Sequence, residues 1–339
     1  MVRRLSGAAS GHEGEPATVR DSLRDMRHRA LGRSGLRVSR LGLGTMTWGS
    51  TVDAEDARDQ LTAFVEAGGS LVDTAFPYGA GASEELLGSL LGDVVPRDEV
   101  VLCTKSGLEE RADGWVRDTS RRELLRQLDT SLRRLSTDHV DLWLVHTWSD
   151  EVPLEETVKA LAHAVATGRA TYVGVSNHRG WQAARTLSLL EREGLPMVAD
   201  QVQYSLIHRA PEADLAPAAA SLGFGLLPWS PLGRGILTGK YRSGVPSGSR
   251  AGSAAFPRFV ERYLDERAMR ISDAVATAAR GLQVTPTEVA LAWVRDRPGV
   301  VAPVVGARTV GQLRTSLASE ELELPAELVE ALDEVSAAG

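Results

Sequence analysis

The chain has one cysteine, Cys103, among 339 residues. A single thiol closes no intrachain disulfide, so a disulfide scaffold is excluded and a reducing compartment is expected. Basic charge is also short. Thirty-eight Lys and Arg stand against 45 Asp and Glu, for a formal net charge of −7. A nucleic acid backbone is held by a basic field, and the deficit speaks against that partner class. No apolar run approaches the ~18 residues that a membrane-spanning helix needs. The N-terminal stretch lacks the apolar core of a secretion signal, and the expectation is a cytoplasmic protein with no membrane partner.

Lysine is scarcer still. Only Lys105, Lys159 and Lys240 are lysines, and the other 35 basic residues are arginine; asparagine occurs once, at Asn177. Where composition drifts toward Arg, Ala and Gly, a retained Lys or Asn points to a job its replacement cannot do. Lys159, on an expected helix face, marks the limit of that filter.

Hydrophobic residues make up 43% and charged residues 24%, ordinary for a globular protein. The length allows a large core, and α/β barrels of this size form one domain. Residues 1–28 have few apolar residues and no periodicity, and are expected to be a disordered tail; residues 29–339 are expected to form one domain. A hairpin signal surrounds Ser34-Gly35. From Leu41 onward, eight short apolar runs alternate with eight amphipathic segments. The strands are expected at 41–45, 70–73, 100–105, 140–146, 170–176, 199–203, 225–229 and 300–305. Asp53 and Ser120 stand as N-caps before two of the helices. The alternation predicts a (β/α)₈ TIM barrel with an N-terminal β-hairpin and two extra helices, at 264–280 and 325–336. A doubly wound sheet is the alternative, but no GxGxxG follows the first strand. The Gly/Ser-rich stretch 233–257 reads as a long functional loop.

Reactive groups of such barrels sit at the carboxyl ends of strands. Three successive expected strands end on Asp73, Lys105 and His146, in SLVD, VLCTK and DLWLVH. Charges there must pair to be buried, and Asp73 and Lys105 are natural partners.

After Asp73 the chain runs DTAFPYGAGASEELLG, residues 73–88. This stretch resembles the signature of the aldo-keto reductase superfamily. The resemblance extends through GLGTM at 42–46, CTK at 103–105, VGVSN at 173–177, WSPLGRGILTGKY at 229–241 and VVGAR at 304–308. It is strongest toward the branch that holds potassium-channel β-subunits and bacterial reductases. It implies a barrel oxidoreductase that binds NADP(H) and reduces a small-molecule carbonyl substrate by hydride transfer.

By that resemblance Tyr78 is the general acid, with a pKa drawn below its usual value of about 10 by the Lys105 ammonium. Asp73 holds Lys105, and His146 orients the carbonyl. Gly44, Thr45, Met46 and Asp73 border the cofactor. Ser176, Asn177 and Gln201 clamp its carboxamide, and Trp229 stacks on the nicotinamide. Ser230, Leu232, Gly233 and Gly235 approach the pyrophosphate. Lys240, Arg250 and Arg308 take the phosphates, and Gly306, Gln312 and Ser316 lie toward the adenosine. Trp48, Phe76, Trp115 and Trp148 are expected to line a substrate pocket for an apolar or sugar-like carbonyl compound, a keto-deoxysugar nucleotide among them. Two other readings stay open: an NADPH-loaded sensor or partner subunit with little turnover, and a barrel in which Lys105 forms a Schiff base. Oligomeric state is not readable.

Overall fold

The computed structural model describes residues 26–241 and 265–337. Strands β1 (His28–Ala30) and β2 (Arg37–Ser39) pair as the expected antiparallel hairpin. The barrel then begins with β3 (Gly42–Gly44), β4 (Leu71–Asp73) and β5 (Val101–Ser106). An antiparallel pair, β6 (Leu108–Arg111) and β7 (Gly114–Arg117), follows β5 before the barrel resumes. The remaining strands are β8 (Val140–Val145), β9 (Ala170–Ser176), β10 (Met197–Gln203), β11 (Gly225–Trp229) and β12 (Val304–Val305).

Eight of these strands close a parallel barrel in chain order, β3-β4-β5-β8-β9-β10-β11-β12, with Val304 paired to Gly42 across the seam. The reason is visible in the residues. Strands such as Leu142-Trp143-Leu144-Val145 are apolar on both faces and buried on both. A parallel strand is covered by helices outside and by the barrel core inside, so it needs no polar face.

The surrounding helices are α1 (Ala54–Glu66), α2 (Ala82–Leu90), α3 (Arg121–Arg134), α4 (Leu154–Ala166), α5 (Gly180–Arg192) and α6 (Leu215–Leu222). They continue with α7 (Glu266–Leu282), α8 (Pro286–Arg295), α9 (Val310–Leu317) and α10 (Ala326–Ser336). The Asp53 carboxylate accepts from the Glu55 and Asp56 N–H groups, and the Ser120 hydroxyl accepts from the Glu123 N–H, so both expected caps form. No helix among the described residues is long and apolar enough to cross a membrane.

The hairpin plugs the amino end of the barrel. Leu31 and Val38 pack on Leu71, Leu142, Leu144, Val198 and Leu227 in a second core inside the strands. Met26 is buried in the main core and His28 opens β1, so the packed chain starts inside the segment expected to be a tail; residues 1–25 lie outside the described residues. Two other expectations shift. The 233–257 stretch begins as a series of tight turns over Gly233–Thr238, with left-handed backbone at Gly233, Arg234 and Gly235, and residues 242–264 lie outside the described residues. The last strand is two residues long, because Val300 pairs with Leu226 only as an isolated bridge.

Candidate active site

Each polar strand end arrives at the carboxyl mouth by the barrel's register. β4 delivers Asp73, β5 delivers Lys105, and His146 follows β8. Lys105 is wholly buried, and its Nζ donates to Asp73 Oδ2 at 2.7 Å and to the Thr74 carbonyl at 2.7 Å. The other Asp73 oxygen, Oδ1, accepts from Gln201 Nε2 at 2.7 Å. The Lys105 ammonium lies 5.1 Å from the centroid of the Tyr78 ring. Tyr78 meets His146 edge to face, with centroids 6.0 Å apart. The four residues from three strands and one loop therefore come together.

Their titration follows from burial. Burial opposes the Lys105 charge, but Asp73 and Tyr78 outweigh it and raise its pKa. His146 is pushed down to about 3 by burial and by the Lys105 charge, so its ring is neutral at physiological pH. Tyr78 departs from the expected direction. Burial raises its pKa above the usual value, and Asp73 adds to this, while Lys105 pulls it down without reversing the sign. The phenol keeps its proton.

Ser176, Asn177 and Gln201 join His146 and Trp229 in one hydrogen-bonded chain across four strand ends. Asn177 has φ = 60°, a left-handed backbone that Asn tolerates. Its Nδ2 donates to the His146 carbonyl and to Ser176 Oγ, each at 3.0 Å, and its Oδ1 accepts from Trp229 Nε1 at 3.0 Å. Ser176 Oγ donates to the Gln201 carbonyl at 2.7 Å. Thr45 is buried, donates its hydroxyl to the Asp73 carbonyl and bonds Ser83, so it braces β4. Gly44 and Met46 beside it are half-buried at the same rim.

After Trp229 the backbone turns left-handed at Ser230, Gly233, Arg234 and Gly235, with φ of 52°, 55°, 58° and 94°. A Cβ on Gly235 would come 2.9 Å from Lys240 Nζ. The turn thus sets an ammonium against glycine backbone, a cradle of the kind that binds anions. Leu232, half-buried, enters this turn. Arg234, only 3% exposed, holds its guanidinium 5.7 Å from the Trp229 ring and had no signal among 35 arginines. Gly306 is exposed ahead of α9, and the Arg308 N–H donates to Gln312 Oε1 at 3.0 Å in the first turn of that helix. Ser316 is buried, and its hydroxyl donates back to the Gln312 carbonyl at 3.1 Å. Arg250 lies outside the described residues.

The aromatic set divides. Trp48 is fully buried and donates Nε1 to Gln60 Oε1 on α1, so it packs against the helix layer and lines no open pocket. Phe76 is also buried, with the Arg134 and Arg126 guanidinium carbons 4.8 and 5.5 Å from its ring centroid. Trp115 is 57% exposed on β7. Trp148 is half-buried and meets His178 and Trp181 edge to face, each at 5.3 Å. Trp181, on α5, is 54% exposed and was not foreseen, because one Trp at a helix start reads like any amphipathic position.

A closed parallel barrel with its polar cluster at the carboxyl ends of the strands is an enzyme architecture. The Aldo/keto reductase family model matches residues 40–337, and the chain belongs to that family of oxidoreductases. It is 34% identical over 320 residues to an uncharacterized oxidoreductase, YrpG, of Bacillus subtilis (strain 168), covering 91% of this chain and 96% of that protein. It is also 34% identical over 340 residues to protein tas of Escherichia coli (strain K12), covering 91% and 97%, with the same values for protein tas of Shigella flexneri.

Proposed function

We propose that this chain is an NADP(H)-dependent reductase of aldehydes or ketones in which Tyr78 is the proton donor. One observation carries the reading: a fully buried ammonium, Lys105, pinned by Asp73 and set 5.1 Å from the Tyr78 ring centroid, with a neutral His146 edge to face with the same ring.

The residues fit a nicotinamide dinucleotide. Ser176, Asn177 and Gln201 offer the mixed donors and acceptors that a carboxamide needs. The glycine turn beside Lys240 suits a pyrophosphate, and Arg308, just ahead of the N-cap of α9, suits a further phosphate, which supports NADP(H) over NAD(H). Bound there, the nicotinamide would supply the hydride to the carbonyl carbon.

The chain's own part is the proton. Negative charge grows on the substrate oxygen, and the Tyr78 O–H donates to it. A phenol whose pKa is raised holds its proton at neutral pH, which suits the reducing direction. The tyrosinate left behind faces the Lys105 ammonium, which stabilises it. His146, neutral, orients the oxygen by a hydrogen bond without competing as an acid. A Schiff base on Lys105 is disfavoured, because a lysine held protonated is no nucleophile. Trp115, Trp148 and Trp181 favour a carbonyl compound with an apolar or sugar-like ring face, and the lone buried thiol of Cys103 supports a reducing, cytoplasmic setting.

The test is NADPH oxidation, followed by absorbance, with a reactive aromatic aldehyde. Tyr78→Phe should lose about 10²–10⁴-fold in kcat and keep its NADPH affinity. Wild-type turnover in that variant would sink the acid assignment. Bound NADPH without consumption by either protein would favour the sensor reading.

A further inference from the structure

The loop that carries Tyr78 is held in an unusual shape. Gly79, Ala80 and Gly81 have φ of 58°, 54° and 105°. Ala80 has a Cβ, and a non-glycine residue holds such a backbone only where its surroundings impose it. One side chain bridges it. Arg134, at the end of α3, donates Nη1 to the Phe76 carbonyl at 3.1 Å and Nη2 toward the Ala80 carbonyl at 3.4 Å. Tyr78 sits midway between those two carbonyls. The same Nη1 donates to Glu84 Oε2 at 3.1 Å. Glu84 is wholly buried, and its Oε1 accepts from Thr104 Oγ1 at 2.7 Å. Thr104 is the neighbour of Lys105.

The surrounding glycines make room for this arginine. A Cβ on Gly81 would lie 2.3 Å from the Arg134 guanidinium carbon, and one on Gly88 would lie 2.3 Å from its carbonyl oxygen. The segment 76–88 is therefore a receptacle built around Arg134.

We propose that Arg134 is a positioning residue for proton transfer: through Glu84 and the Phe76 and Ala80 carbonyls it holds the Tyr78 hydroxyl in register with the Lys105 ammonium. The role rests on the reductase reading above. A planar fork with several donors reaches all three acceptors at once, and an ammonium does not.

The experiment uses the full chain, NADPH and the same aldehyde, with Arg134→Ala, Arg134→Lys and Glu84→Gln. In the Arg134 variants kcat should fall about 10²-fold, the loss expected of a small misplacement of a reacting group. KM and the NADPH affinity, read by protein fluorescence, should stay within about threefold, since the misplaced group serves the chemical step. The alkaline limb of log kcat against pH should move upward, because a phenol farther from the ammonium titrates higher. Free guanidinium ion should restore part of the Arg134→Ala turnover, and Glu84→Gln should show the same limb shift in smaller measure. A merely structural arginine would lower the folded fraction and leave kcat per folded molecule, and the limb, where they were. That result overturns the proposal, and Arg134→Lys decides the matter if the alanine variant does not fold. A wild type that never consumes NADPH overturns the reductase reading instead, and takes this role with it.

Discussion

At the carboxyl end of the barrel, Lys105 spends two of its three N–H donors on Asp73 and the Thr74 carbonyl, and the third faces Tyr78. At the amino end, Arg295 is equally buried, but its donors go to the Ser319, Glu320 and Leu322 carbonyls and to Asp296. Arg40 beside it donates to Glu320 Oε1 at 2.9 Å and to the Glu320 carbonyl at 2.8 Å. Arg29 reaches the Arg295 and Val300 carbonyls from the hairpin. Both ends bury cations. The amino end uses arginine, whose fork ties the hairpin to helix ends and loops that would otherwise leave carbonyls unsatisfied. The carboxyl end uses lysine, a compact charge with one donor left to act on a neighbour. On the reductase reading, structure at one end and chemistry at the other require different cations.

Exchanging the two cations tests that contrast most severely. Lys105→Arg keeps the charge but brings a planar fork into a fully enclosed site. Turnover should fall about 10²–10⁴-fold, as if the general acid were disabled. Arg295→Lys should leave kcat per folded molecule unchanged and cost about 2–4 kcal/mol in urea unfolding, since it drops carbonyl bonds to a charged group. An active Lys105→Arg enzyme would show that any cation serves at the carboxyl end, and the contrast would fail.

What was legible beforehand followed the same chemistry. Lys105 and Asn177 stood out because lysine and asparagine are rare in this chain, while Arg134 and Arg234 were invisible among 35 arginines. The barrel was legible because parallel strands are unbroken apolar runs, and the caps because Asp53 and Ser120 precede amphipathic periods. The aromatics were not. Trp48 and Phe76 follow strands just as Trp148 does, and sequence spacing does not tell a fully enclosed side chain from a half-buried one. The β6–β7 hairpin had a turn signal, Asp113-Gly114, but its charged flanks lack the apolar alternation that marks a strand. The direction of the Tyr78 shift was misjudged because residue identity reports the neighbouring charge, while the depth of burial emerges only in the fold.

A smaller effect separates the ends by pH. The carboxyl end buries two imidazoles, His146 and His178, with pKa values pushed down to about 3 and about 4, in both cases chiefly by burial. In the unfolded chain they titrate near 6.5. Below that value the unfolded state takes up protons that the folded state refuses, so stability falls as pH drops from about 6.5 toward 4. Each histidine should cost about 2 kcal/mol between pH 7 and pH 5. Urea midpoints at the two pH values check this, and His178→Gln should lose about 2 kcal/mol less than the wild type over that interval. An unchanged slope in the variant would mean that His178 is charged or exposed at pH 5.

The finest distinction lies within the carboxyl end itself. Asp200 neighbours Gln201 on β10, and strand alternation turns it away from the Asp73 that Gln201 grips. It is wholly buried, and neither carboxyl oxygen meets a partner in hydrogen-bonding geometry, although the His178 backbone N–H faces it. Burial raises its pKa well above the usual range, with Asp214 adding to the rise, so the folded protein keeps a proton that the unfolded chain releases above about pH 4. Stability is therefore lost as pH rises from there toward the folded pKa. Asn has the same shape and no proton to lose. Asp200→Asn should be more stable than the wild type at pH 8, flatten the alkaline side of the stability curve and leave kcat alone. A destabilised variant would mean that Asp200 is ionised in the fold. Burial of charge at this end would then extend beyond the face that serves the chemistry, and the division of labour between the two ends would need another explanation.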